Sequence, residues 1–419
     1  MGLTLLRGNI QRCFWLLAMP FALAVQLVGL QLLPSDMVTS MDSHEYLAIS
    51  EAVYKDHVYG VPAGLNGFDH FPGESPTRMR QPLYPLFLVV FYWLPGQEIF
   101  VVQMVQILLN CAVLWFLIMS SHILIRDMLN ALAYVIPAVY IPWLITSGMI
   151  LTEALFTFLL WATIYACAKY TVARRFRYLP ISGLLLGLLI LTKPVGILVL
   201  GAITLYFAFS LGSRRVLAVS VISASAVVTV APWAVRNYIS VDKVAITPTT
   251  SGYNLWVASK PLGNRIWKSS PGFIAATEDA THYYIDGVAN DSFRALAIRR
   301  FSDCNPLKTV WSSILRIAKA WLRCPGTGDM VSVSVRYILL SAAHIGMIIF
   351  AIIGFLRLAS TKKWLLVLPA IALTFALPVS KGLTRYILPA YPAVVLLSAH
   401  GFLSALNSAT SQSIGTIGK

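Results

Sequence analysis

Long apolar runs separated by short polar segments set the organisation of this chain. Ten such runs fall at roughly 12–33, 99–119, 128–146, 150–170, 180–192, 195–211, 216–236, 337–357, 364–380 and 386–405. Most have the length of a membrane-crossing helix, about 20 residues. Those at 180–192 and 195–211 are short, which predicts tilted or broken helices. The first run is too long for a signal peptide and lacks a small-residue cleavage site, so it reads as a retained span. Two polar stretches interrupt the series, at 34–98 and 237–336. In the first, "HEYLAISEAVYKDH" puts Tyr46, Ile49 and Val53 on one helical face. In the second, Asn305 and Pro306 open a helical pattern in which Val310, Ile314, Ile317 and Trp321 share a face, and Lys308, Arg316 and Lys319 take others. That pattern suits a helix lying in the membrane interface. The expectation is an all-α polytopic membrane protein, 1–419 forming one domain, with two long outer loops that carry juxtamembrane helices.

Composition agrees: 58% of the residues are hydrophobic and 12% charged, against about 25% charged in a soluble domain. The net charge of +15 raises nucleic acid as a partner. The basic residues bracket apolar runs and form no stripe on a soluble face, which argues against it. Their placement instead fixes a topology. With the N-terminus in the cytoplasm, Arg126, Lys169, Arg174, Arg175, Arg177, Arg214, Arg215 and Arg357 lie inside. Asp127 is the one acidic residue there, and the other 16 of 17 are outside. This obeys the positive-inside rule.

The same topology gathers a set of charges at the outer ends of the runs. Ionisable groups at membrane depth are costly and mark functional sites. Asp42 and Glu45 follow the first run, Arg78 and Arg80 precede "QPLYPLFL", and Glu153 sits in "MILTEALF". Lys193 lies in "LTKPVG", Arg236 in "PWAVRNY", and Lys381 and Arg385 in "SKGLTRYILP". Plainer readings stand beside the functional ones. Asp42 fits a helix N-cap, Glu45 a complement to the helix dipole, and Arg236 and Arg385 snorkelling anchors. Glu153 has no basic residue nearby in sequence and needs a partner from elsewhere. Lys193 likewise has no acidic neighbour, so its charge must be met by a ligand or by Glu153. His44 is a solvated loop histidine or a metal ligand, and a divalent ion is left open as a cofactor. Cys304 and Cys324 face the oxidising side, where a disulfide can form. Cys13, Cys111 and Cys167 read as packing residues.

These motifs resemble a family. Asp42 and Tyr46 after the first run, then Arg80, Pro82, Leu83, Tyr84 and Pro85 as "R-x-P-L-Y-P", look like the bacterial relatives of the protein O-mannosyltransferases. Those are GT-C glycosyltransferases, family 39-like, in the broad group of the lipid A aminoarabinose transferases. The likeness continues in "LTEALF", "LTKPVGI", "PWAVRNY", "SGYNLWVAS" and "RYILPAYP", in order along the chain. Two departures stand out: Ser43 follows Asp42 where eukaryotic relatives carry an adjacent Asp-Glu, and Lys193 replaces an arginine.

The resemblance implies a GT-C-like bundle and a polyprenyl-phosphate sugar donor, with a glycolipid, glycan or protein hydroxyl as acceptor. It implies membrane lipids as surroundings and a periplasm-facing site in a bacterial inner membrane. Physical chemistry supplies roles to match. Cations at the membrane surface stabilise a departing polyprenyl phosphate, a task for Lys193, Arg236, Arg385 and Arg80. Asp42 is the candidate general base. Glu153 orients the acceptor, holds Lys193 or helps bind a metal. Tyr46, Tyr84, Glu45 and Lys381 are candidate substrate contacts. A flippase for lipid-linked sugars predicts internal repeats, and none is evident; a glycan ligase uses similar chemistry and stays open.

The topology is open to direct test. A cysteine placed at Gly64 or Gly263 is expected to react with an impermeant maleimide in intact spheroplasts, and one at Arg175 is not. The reverse labelling pattern refutes the scheme.

Overall fold

In the computed structural model the described residues are 19–31, 38–61, 75–94, 96, 98–124, 147–241, 244–248, 250–259, 288–322, 335–358, 363–380 and 384–417. The predicted span at 128–146, Lys381 and Cys324 lie outside them. The described residues are mostly helical. The predicted apolar runs appear as helices α1 (Met19–Gln31), α4 (Glu98–Leu124), α5 (Glu153–Ala173), α6 (Tyr178–Thr192), α7 (Gly196–Ser210), α8 (Arg215–Val241), α12 (Val335–Arg357), α13 (Trp364–Phe375) and α14 (Tyr391–Ile417). Among the described residues, the stretches Glu98–Leu124, Glu153–Ala173, Gly212–Ser240 and Thr384–Leu406 are long and apolar enough to cross a membrane. Between them lie α2 (Met41–Asp56), α3 (Leu83–Val89), α9 (Thr250–Ala258), α10 (Val288–Asp303) and α11 (Pro306–Leu322). A two-residue antiparallel pair, β1 (Gly60–Val61) with β2 (Ser75–Pro76), is the one sheet among the described residues.

The short α6 and α7 are real, with 15 residues each. Pro194 is the cause. It follows Lys193, whose extended backbone (φ −147°, ψ 137°) ends α6 before α7 begins, as the residue before a proline prefers. The last span differs from expectation in its first two turns. Thr384–Ala390 is a 3-10 helix, and α14 starts only at Tyr391. Pro389 lies inside that segment and has no N–H to offer an α-helical ladder. Trp161 of α5, 1% exposed, fixes the segment by donating its indole N–H to the Pro389 carbonyl at 3.2 Å.

Packing follows the apolar pattern. Exposed Val227, Val228, Phe209 and Ile352 make an outer surface suited to lipid. Inside, α5 is buried along most of its length between α4 and α6. Glycine allows the closest approach, between α12 and α14. A Cβ at Gly401 would lie 2.0 Å from the Phe350 carbonyl oxygen, and one at Gly354 equally close to that of Leu397.

The two outer segments are built onto the bundle. The N-cap of α2 is Ser40, in a capping box with Ser43. Asp42 is therefore inside the first turn, not the cap, and not on a free loop. Ser50 ties α2 to α3 by donating to the Pro85 carbonyl at 3.1 Å. In α11 the helix start is as expected, with the Leu307 N–H capped by Asn305 Oδ1 at 2.9 Å. Its charge pattern is not. Arg316 is buried and faces the Pro378 carbonyl, while Leu307, Val310, Trp311 and Ile314 are exposed. Cys304 carries a free thiol.

Candidate active site

Helix ends assemble the site. Glu153 is the first residue of α5 and Lys193 the C-cap of α6, so each charge complements its own helix dipole. The two ends meet, and Lys193 Nζ donates to Glu153 Oε1 at 2.9 Å. Both side chains are well shielded, Glu153 nearly completely. Asp42, in the first turn of α2, approaches from the side. Its Oδ1 accepts from Arg80 Nη2 at 2.6 Å and its Oδ2 from Arg385 Nη2. Arg80 also pairs with Glu45, and Arg385 Nε lies 3.8 Å from Glu153 Oε1. The result is one connected cluster. Three carboxylates (Asp42, Glu45, Glu153) balance three cations (Arg80, Lys193, Arg385).

Aromatic rings support the cations. Arg80 lies over Tyr46, 5.2 Å from the ring centroid, and Lys193 over Tyr386 at 5.5 Å. Burial of Tyr46 in α2 pushes its phenol above the ordinary tyrosine range, so it stays protonated. The cluster borders a cavity of about 420 Å³. Its lining includes apolar Phe156, Val195, Leu198, Leu373 and Val379 and polar Gln81, Thr250, Ser251 and Asn254.

Some sequence-predicted residues fall elsewhere. Arg236 does not line the cavity. Its guanidinium donates to the Thr77 and Tyr59 carbonyls, both at 2.7 Å, and clamps the β1–β2 segment to the end of α8. Neighbouring Asn237 does the same for the second outer segment through the Ala245 carbonyl at 2.7 Å. Tyr84 is fully buried, with its hydroxyl on Gln106 Oε1 at 2.9 Å and its ring against Tyr46. Glu45 touches Arg80 and not the cavity. His44 is exposed, on a different face of α2 from Glu45.

A divalent metal does not fit these residues. Both oxygens of Asp42 and Oε1 of Glu153 already hold cationic donors, so an ion would have to break several pairs at once. Among the described residues no three of His, Cys, Asp or Glu come together to hold one.

Sequence reasoning missed Gln81, Asn254 and Tyr386 as cavity residues. Tyr386 adjoins Arg385, and Gln81 adjoins Arg80 before a proline. Nothing in their spacing separates them from loop residues, and each needs the fold to be seen.

Residues 76–236, under half of the chain, match the family model for dolichyl-phosphate-mannose-protein mannosyltransferase. That segment holds Arg80, Glu153, Lys193 and Arg236. The fold is similar to the apo oligosaccharyltransferase of Archaeoglobus fulgidus, with TM-score 0.54 and 13% identity over 95% of this chain and 52% of that one. The same enzyme tethered to an acceptor peptide containing the NVT sequon gives 0.55 and 13%, over 94% and 50%. This chain thus spans about half the length of that protein. ArnT from Cupriavidus metallidurans bound to undecaprenyl phosphate is a looser likeness, with TM-score 0.42 and 14% identity over 93% and 77%. No curated protein matches the sequence. The fold is thus similar to that of the oligosaccharyltransferase, and the segment 76–236 matches a mannosyltransferase family model, in line with the resemblance that the motifs carry.

The Lys193–Glu153 pair makes a sharp stability prediction. Lys193→Met leaves Glu153 buried beside Arg385 alone, and apo stability is expected to fall by about 3 kcal/mol. Adding Glu153→Gln to Lys193→Met removes the orphaned charge and is expected to restore most of the loss. Melting in detergent checks both, and an unshifted Lys193→Met midpoint refutes the structural pairing.

Proposed function

We propose that the chain is a polyprenyl-phosphate-dependent glycosyltransferase acting at the outer face of a bacterial inner membrane. The observation that carries this reading is the ion cluster itself, whose Lys193 and Arg385 line one cavity together with apolar Phe156, Val195, Leu198, Leu373 and Val379. An isoprenoid tail suits the apolar lining residues, with its phosphate against Lys193 and Arg385. The match to the mannosyltransferase family model supports the lipid-phosphate donor. The acceptor is a hydroxyl of a glycolipid, glycan or protein.

The chemistry follows from the pairing. In the empty site each cation is held by a carboxylate and is already positioned. An incoming phosphate competes for Lys193 and Arg385, drawing them from Glu153 and Asp42. Guanidiniums compete with a proton for a carboxylate, so Asp42 becomes a better base once Arg385 has turned to the phosphate. Donor binding thereby activates the base. Asp42 takes the proton of the acceptor hydroxyl as that oxygen bonds to the anomeric carbon. The bond from that carbon to the phosphate oxygen breaks, and the polyprenyl phosphate leaves with the electron pair. Lys193 and Arg385 stabilise the charge that develops on it. One displacement inverts the anomeric centre. Arg80 stays with Glu45 and keeps Asp42 aimed. Glu153, more deeply buried than Asp42, holds Lys193 and Arg385 and is not the base. Arg236 contributes by fixing the first outer segment, away from the phosphate.

Asp42→Asn tests the assignment. It keeps the side-chain shape but leaves Arg80 and Arg385 one carboxylate short, so a lower melting temperature is expected and turnover is compared at equal amounts of folded protein. Transfer in proteoliposomes is expected to fall by about 10²-fold or more. Turnover near the wild-type rate removes Asp42 from the role of base.

A further inference from the structure

Gln81 is the feature that the ion cluster leaves unexplained. It lines the cavity and is 4% exposed. Its Nε2 donates to the Ile246 carbonyl at 2.7 Å. That bond fixes the orientation of the carboxamide, because a flip would bring two oxygens together. Oε1 is then left buried, with no hydrogen-bond partner among the described residues. A buried acceptor without a donor is costly, so its persistence in a ligand cavity points to a donor that arrives with the ligand.

A second carboxamide lines the same cavity. Asn254 sits one helical turn after Thr250 on α9, so the two share a face. Asn254 is half-buried, and its carboxamide makes no hydrogen bond among the described residues. Its helix is held from the far side. Trp256 packs on Phe293 of α10, with centroids 5.2 Å apart, and Tyr253 meets the same ring. Thr250 reaches back to the Met79 carbonyl at 3.5 Å. The two carboxamides thus belong to one tied assembly of both outer segments.

We infer that Gln81 and Asn254 form a neutral subsite that reads the hydroxyl groups of the transferred sugar. The chemistry favours hydroxyls over anions. Gln81 Oε1 is an acceptor and repels a phosphate or carboxylate oxygen. Asn254 offers both a donor and an acceptor. Hydroxyls on a sugar ring can donate to the first and either donate to or accept from the second. The cations of the cluster serve the phosphate, and the carboxamides serve the ring. A site that hydrogen-bonds a hydroxyl rejects analogues that lack it, so this pair sets sugar selectivity. The inference rests on the transferase reading for its donor, and on Gln81 and Asn254 alone for its subsite.

The test uses full-length protein in detergent and two kinds of probe. Methyl α-glycosides of mannose, glucose and galactose are followed by saturation-transfer NMR. Undecaprenyl phosphate, which has no sugar, is followed by thermal shift. Wild type is expected to bind at least one glycoside. Gln81→Met and Asn254→Ala are each expected to weaken that binding about tenfold, the scale of one hydrogen bond, and to leave the undecaprenyl phosphate shift unchanged. Asn254→Ala alters a half-buried helix position and keeps the test valid if Gln81→Met fails to fold. The inference is overturned if no glycoside binds wild type, if the folded variants bind it as wild type does, or if they weaken both ligands alike. Glycoside binding with the expected losses, but no shift with undecaprenyl phosphate, supports the subsite and removes the lipid-phosphate donor.

Discussion

Asp42 between two guanidiniums is the interaction on which the rest of this site depends. Arg80 comes from the first outer segment and Arg385 from the start of the last span, and both converge on one carboxylate. Through Arg385 the cluster reaches Glu153, and through Glu153 it reaches Lys193. Burying a single charge at this depth would be costly, and pairing offsets the cost. The cluster is balanced, so it is stable without ligand. It is also poised, since any anion that enters must take a cation from a carboxylate.

The surrounding fold serves to hold that balance. Pro194 ends α6 at Lys193, and the capping box on Ser40 and Ser43 starts α2 where Asp42 can turn inward. Pro389 and Trp161 tighten the approach to Arg385. Arg236 and Asn237, at the end of α8, fasten both outer segments through backbone carbonyls. A guanidinium between two carbonyls is a scaffold contact, and it sits beside the cluster without joining it.

Much of this was legible in the sequence, because membrane physics writes itself in composition. Apolar run lengths gave the spans, and the asymmetry of basic residues put Asp42, Arg80, Glu153, Lys193 and Arg385 on one side. The need of Glu153 for a distant partner was also readable, since no cation lies near it along the chain. What stayed hidden was pairing. Asp42 and Arg385 are 343 positions apart, and no local pattern joins them. Arg236 read as a phosphate ligand because the carbonyls of Tyr59 and Thr77 that occupy it carry no side-chain signature. Tyr84 read as a substrate contact through its motif, yet its hydroxyl is spent on Gln106 in the core. Arg316 read as lying off the apolar face of an interfacial helix, and the tertiary fold turns it toward the 3-10 segment Leu377–Val379.

The central claim is that carboxylates hold the cations in readiness for the donor phosphate and compete with it. The most direct test is the affinity of undecaprenyl phosphate for Glu153→Gln, measured by thermal-shift titration in detergent. Removing the competing charge without changing the side-chain shape frees Lys193, so binding is expected to tighten, by roughly tenfold for about 1.4 kcal/mol of relieved competition. Weaker binding, or no change, would contradict the account and make Glu153 a scaffold for the bundle alone.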